Sequence, residues 1–356
     1  MLRVRIGLLF ALLILTILAC GCQKPQLTLE PGAATLTVDP SATYATLTVK
    51  ADGSGYTTLG VAYDRERELR WSPNGKLLAW CGLAWGNWDL YTVTADGLIK
   101  KTLSDDPAID ADPSWSPDGK TILNVAGLDK THTKGEVYVT DYEHGGRMQV
   151  CKDDLPHEGA DWAQKGSKQP AFTTKKPEGW IIETCKANGE DRKQLAGPFA
   201  QLGRIAWSPD GSQIATVQGS QLVLIPAAGG APRPASVPDA LETAQPQWSP
   251  DGTMIALRTK AGYCVVKAAD GAVAWTSLPA PGGGSDPTWA PDSRRIVFAS
   301  TLPSDNCIFV AEVVSKEPPV TLVASEGCLM DPAWSPDGKT IAVAFAPAAY
   351  ARPKTN

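Results

Sequence analysis

The chain has 356 residues, of which 43% are hydrophobic and 20% charged, with 33 glycines, 29 prolines and a formal net charge of −5. A mildly acidic balance argues against nucleic acid as the partner. Frequent Gly and Pro, with no long 3.6-residue periodicity beyond the first twenty residues, argue against a helical fold.

In chain order, Met1 to Arg5 is a basic start and Ile6 to Ala19 an apolar run broken by one Thr. Fourteen residues are too few to span a bilayer comfortably, but they suit the core of a secretory leader. The run ends Ile17-Leu18-Ala19-Cys20, which resembles the lipobox of bacterial lipoproteins. Residues 1–19 are therefore expected to be a signal peptide and Cys20 the lipidated first residue of the mature chain. An ordinary cleaved leader, or lipidation at Cys22, is the alternative. Loss of Arg3 and Arg5 moves the charge from −5 to −7. Residues 20–40, rich in Pro, Thr and Gly, read as a flexible tether. The expected address is the cell envelope, anchored to a bacterial membrane and facing the periplasm or the exterior.

Residues 43–59 alternate in the β manner around Ala51-Asp52-Gly53, the pattern of a third strand, a hairpin and a fourth strand. Seven tryptophans follow in phase: Trp71, Trp115, Trp162, Trp207, Trp248, Trp289 and Trp334, spaced 41 to 47 residues apart. Four precede Ser-Pro-Asp-Gly; Trp71, Trp162 and Trp289 precede the variants Ser-Pro-Asn-Gly, Ala-Gln-Lys-Gly and Ala-Pro-Asp-Ser. The phrase is a tight turn, with Pro presetting φ and Gly accepting the positive φ that follows. A β-patterned run comes after each copy, such as Ile341, Val343 and Phe345 alternating with Ala342, Ala344 and Ala346. Large and small apolar residues without charge on either face suit a strand sandwiched between two sheets. A period in the low forties is that of a four-stranded propeller blade. The expectation is an all-β, closed β-propeller over residues 41–349 with a tail at 350–356. It has seven blades, or six if the Trp162 repeat is not one. The last blade combines residues 334–346 with 43–59, which removes the exposed edges of an open array. The tryptophans are expected to pack between blades.

Three residues before each tryptophan stand Glu68, Asp112, Gly159, Arg204, Gln245, Asp286 and Asp331. Blade symmetry puts them in a ring at one mouth of the central channel, where a field of mainly acidic sign should gather. Asp before Pro also caps turns, so Asp112, Asp286 and Asp331 have a local role open to them. Trp85 and Trp88, in a variable loop, should border the same face as an interface or by packing on the next blade. Six cysteines fall in the propeller, without a C-x-x-C pair and with only three histidines, which makes a zinc site a poor reading. Cys307 begins a third strand and Cys328 follows the fourth strand of the same blade, making this pair the candidate disulfide.

The Trp-Ser-Pro-Asp-Gly-Lys repeat, with Asp-Pro-x-Trp before it and Ala-Asp-Gly hairpins after it, resembles the TolB-type propeller repeat across roughly residues 41–346. Related repeats occur in prolyl oligopeptidase-like enzymes. The resemblance implies a propeller used as a docking surface. TolB itself carries an α/β domain before the propeller and is soluble, so its own partnership is not implied. No G-x-S-x-G elbow occurs, and no residues remain for a hydrolase domain. The functional expectation is a monomeric binding scaffold for an envelope protein or a small polar ligand, with no cofactor. The alternative is a lactonase-like hydrolase holding calcium on the axis with acidic ligands.

Overall fold

A computed structural model of the chain describes residues 34–36, 45–59, 65–84, 86–127, 135–235, 237, 239–277, 285–299, 307–315, 317–325 and 327–346. The expected leader, Cys20 and the tail at 350–356 lie outside the described residues.

The described residues form the seven blades of a β-propeller, each built on four antiparallel strands that run in sequence order from the axis outward in blades I to VI. Blade I holds Arg65–Trp71, Leu77–Ala84, Asn87–Thr94 and Lys100–Thr102. The innermost strands of blades II to VI are Ala111–Trp115, His157–Trp162, Ile205–Trp207, Gln247–Trp248 and Thr288–Trp289. Every repeated tryptophan thus ends an innermost strand, Trp162 included. The degenerate repeat is a true blade, and the six-bladed alternative falls.

Blade VII closes the ring as the sequence suggests. Cys328–Trp334 and Thr340–Ala346 supply its two inner strands, and Ala45–Lys50 and Tyr56–Thr58 its two outer ones. Ala45 lies opposite Phe345, Leu47 opposite Val343 and Val49 opposite Ile341. One finding departs from the expected tether. Ala34–Leu36 pairs in parallel with Val323, Ala324 and Ser325, adding a fifth strand to the rim of blade VI.

The core is distributed between blades. Ile341, Val343 and Phe345 face blade VI and pack with Val297 and Ile308. On the other side of the same strand, Ala342 and Ala344 face blade I and meet Leu78, Trp80 and Tyr91. The alternation of large and small residues is therefore complementary: small side chains on one sheet admit large ones from the next. Ser-Pro-Asp-Gly turns space the strands. Gly119, Gly211, Gly252 and Gly338 all sit at φ 68 to 75°, and Ser293, which stands in for Gly, still adopts φ 59°.

Four of the seven tryptophans also link blades through their indole N–H groups, while Trp162 and Trp334 donate within their own turns, to Lys168 O and Gly338 O. Trp71 donates to Ala333 O at 3.0 Å, Trp115 to Arg70 O at 3.0 Å, Trp248 to Ala206 O at 3.1 Å and Trp289 to Gln247 O at 2.8 Å. Each of these acceptors lies on the innermost strand of the preceding blade or at its edge. Buried indoles with a partner both fill volume and remove a polar cost.

Candidate site at the mouth of the channel

The ring residues owe their position to local irregularity. In blades I, II, III and VII the pairing of the innermost strand shifts between Arg67 and Arg70, Ala111 and Ser114, Glu158 and Asp161, and Met330 and Ala333. The residue inside each shift has left-handed backbone: Glu68 at φ 61°, Asp112 at 56°, Gly159 at 51° and Asp331 at 48°. A bulge of this kind breaks the two-residue alternation and re-aims side chains at a rim. It lets Arg67 and Arg70, three apart, line one cavity together with Glu68.

Two cavities, of about 250 and 590 Å³, meet at this mouth and share Arg67, Arg204 and Arg258. Glu68, Asp286 and Asp331 line the smaller one; Asp112 and Gly159 line the larger. From blade IV, Arg204 reaches both Glu68 of blade I and Asp112 of blade II, the latter at 2.8 Å. Arg70 Nη2 donates to Gln245 Oε1 at 2.6 Å, joining blades I and V. Arg258 Nε contacts Asp286 Oδ1 at 2.7 Å. Backbone amides complete the belt: Asp112 N donates to Glu68 Oε2 at 2.8 Å, Gln245 N to Asp286 Oδ2 at 3.3 Å and Asp331 N to Ser285 Oγ at 2.7 Å. All seven ring positions are thus brought together, and their side chains bond one another and neighbouring backbone as well as facing the opening.

The electrostatics differ from the expected acidic field. Arg67, Arg70 and Arg258 join Arg204, so four arginines face three carboxylates around the smaller cavity. Burial pushes the Glu68 carboxyl up, yet Arg204, Arg67 and the Asp112 N–H together hold it down at about 2. Burial raises Asp112 above the usual carboxylate range despite Arg204, with Glu68 adding to the rise. Burial, then the charges of Glu68 and Asp286, push Asp331 up to about 6 against the pull of Arg70. Mutually close carboxylates do not all ionise equally readily, and of Glu68, Asp112 and Asp331 the arginines favour the charged form of Glu68 most.

Trp88 lies on a strand paired with Leu83 and places its ring 4.2 Å from the Arg67 guanidinium, so it braces the mouth from behind. It also packs against the cluster of Cys81 and Trp115, which satisfies the packing alternative. Trp85 lies outside the described residues. Cys307 opens the third strand of blade VI, opposite Ala324, and Cys328 follows the fourth strand of that blade, Val320–Ser325, after two residues, where it opens the innermost strand of blade VII opposite Ala346. Arg67, Arg70 and Arg258 do not stand at the one repeat position that defines the ring, so the repeat does not single them out. The signal for two of them was arginine on either side of Glu68.

No family model matches the chain. The "Uncharacterized peptidase YuxL" of Bacillus subtilis (strain 168) is 28% identical over 148 residues, which is 41% of this chain and 21% of that protein. The chain matches about a fifth of that relative's length. TolB from Acinetobacter baumannii superposes with a TM-score of 0.52 at 21% identity, over 66% of this chain and 63% of that one. An oligogalacturonate lyase in complex with manganese gives 0.55 at 12% identity, over 83% and 81%. The Cps50 (Swd1) β-propeller domain of Myceliophteria thermophila gives 0.58 at 11% identity, over 79% and 96%. At these identities the likeness is one of fold.

Proposed function

We propose that this propeller is a binding scaffold of the bacterial cell envelope, held at a membrane by lipid on Cys20, which docks a protein or a small polar ligand on the channel mouth. The observation that carries the reading is the convergence of charged residues from all seven blades, Glu158 supplying the third, on two adjoining cavities. Buried charges of this number are costly to maintain for stability alone. Pockets with a few fixed polar groups are where ligands dock. Among the described residues at the mouth, none forms a nucleophile–base pair of the kind hydrolases use. The calcium-dependent alternative needs carboxylates free to converge on an ion. Here Arg204 is interposed between Glu68 and Asp112, and Arg258 engages Asp286. A lyase is among the similar folds, so an activity panel belongs in the test.

Two measurements test the proposal. Replacing Cys20 with Ser should move the folded protein from the membrane to the soluble fraction; continued full membrane association defeats the anchoring. The double variant Asp286→Ala with Asp331→Ala should lose capture of envelope partners while still melting cooperatively. A stable double variant that keeps every interaction of the parent, together with an unchanged calcium response, removes this face from consideration. Turnover of a lactone or uronide panel by the parent would overturn the non-enzymatic reading.

A further inference from the structure

The four arginines of the smaller cavity are not equivalent. Arg204 meets two carboxylates and Arg258 meets one. Elsewhere, Arg147 and Arg192 are each gripped by two. Arg67 and Arg70 have no carboxylate partner among the described residues. Arg67 donates from Nη2 to Asp110 O at 3.3 Å, and its Nε–H is buried without an acceptor. Arg70 donates from Nη1 to Leu69 O at 3.1 Å and from Nη2 to Gln245 Oε1 at 2.6 Å. Both side chains rise from the same innermost strand, on either side of the bulge at Glu68. The ring of Trp88, 4.2 Å from the Arg67 guanidinium, covers one face of that group, which also lines the cavity.

Arg67 and Arg70 stand on one wall of the cavity without a carboxylate in contact. Neutral acceptors satisfy their hydrogen bonds only in part, and Glu68, Asp112 and Asp331 offset their charge through space and not by direct pairing. Glu68 and Asp286 are committed to Arg204 and Arg258, so Asp331 is the sole uncommitted carboxylate on the wall. Two planar forks held close together match the geometry of an oxyanion better than that of a cation or a neutral sugar.

We propose that Arg67 and Arg70 form an oxyanion subsite, receiving the carboxylate or phosphate group of a small acidic ligand at the channel mouth. This rests on the reading of the mouth as the docking face and names the chemistry of what docks. Inorganic phosphate and succinate serve as separate calorimetric probes of the full chain, with sodium chloride at matched ionic strength as the control. One of the two should bind with a saturable signal, and which one does identifies the group recognised. In the Arg67→Gln, Arg70→Gln variant the affinity should fall at least tenfold. Should that variant fail to fold, Arg67→Lys with Arg70→Lys keeps both charges but loses the forks, and should still bind several-fold more weakly. Binding by neither probe, or unchanged affinity in a folded variant, overturns the subsite. The docking reading is judged separately: partner capture lost in the Asp286→Ala, Asp331→Ala variant while neither probe binds leaves docking standing and defeats the subsite alone.

Discussion

Asp331 offers the most direct check on the electrostatics of the mouth. Its carboxyl is half-buried on the cavity wall, faces the carboxylates of Glu68 and Asp286, and is relieved by Arg70 and the Glu68 backbone N–H. The folded value of about 6 stands roughly 2 units above the ordinary 3.8. The folded state therefore binds the proton more tightly than the unfolded chain. Folding takes up a proton between about pH 4 and 6, stability falls as pH rises through that window, and the whole penalty is present above it. At about 1.4 kcal/mol per unit the penalty is on the order of 3 kcal/mol at pH 7. Asn is nearly isosteric, keeps an oxygen to accept the Glu68 N–H, and tolerates the left-handed backbone at φ 48° at least as well as Asp. Asp331→Asn should therefore stabilise the protein at pH 7 by about 2–3 kcal/mol, raising the melting temperature by a few degrees. The advantage should shrink toward zero near pH 4. Calorimetric melts of parent and variant at half-unit steps from pH 4 to 8 measure it. A variant no more stable than the parent at pH 7, or an advantage that persists undiminished at pH 4, refutes the assignment.

Two further perturbations address the ring. Deleting residues 41–60 removes both outer strands of blade VII and leaves Thr340–Ala346 as an edge; the expected result is aggregation or loss of a single cooperative transition, and a monomeric product with a sharp melt would contradict closure. At Trp115, Phe should cost about 1 kcal/mol through the lost bond to Arg70 O, whereas Ala should cost about 3–5 kcal/mol through the void between blades I and II. Urea titration separates the two, and equal losses would show that the indole bond and the ring volume are not distinct contributions.

The fold was legible because a propeller repeats its instructions. Seven Trp-turn phrases, and the alternation from Ile341 to Ala346, state the blade, its spacing and its two packed faces. The ring at the mouth was legible for the same reason, as one position per repeat. What it would do there was not. The bulges that re-aim Arg67 and Arg70 depend on a positive φ at Glu68, and a glutamate carries no local signal for that conformation. Arg258 comes from a second strand and follows no repeat at all. The strand at Ala34–Leu36 is three residues of parallel pairing on a rim, decided by a partner some 290 positions away in the chain.

Closure within blade VII also fixes an order of events during synthesis. Ala45 pairs with Phe345, so the strand Ala45–Lys50 is made about 300 residues before its partner. At roughly 5–20 residues per second that is a wait of about 15–60 s, many times longer than a hairpin needs to form. Blades I to VI can each fold from neighbouring sequence as it emerges, but Leu47 and Val49 have no sheet to enter until the last strand arrives. The earliest β-strand of the ring is therefore the last to be buried, and the newborn chain carries an unsatisfied apolar edge for most of its assembly.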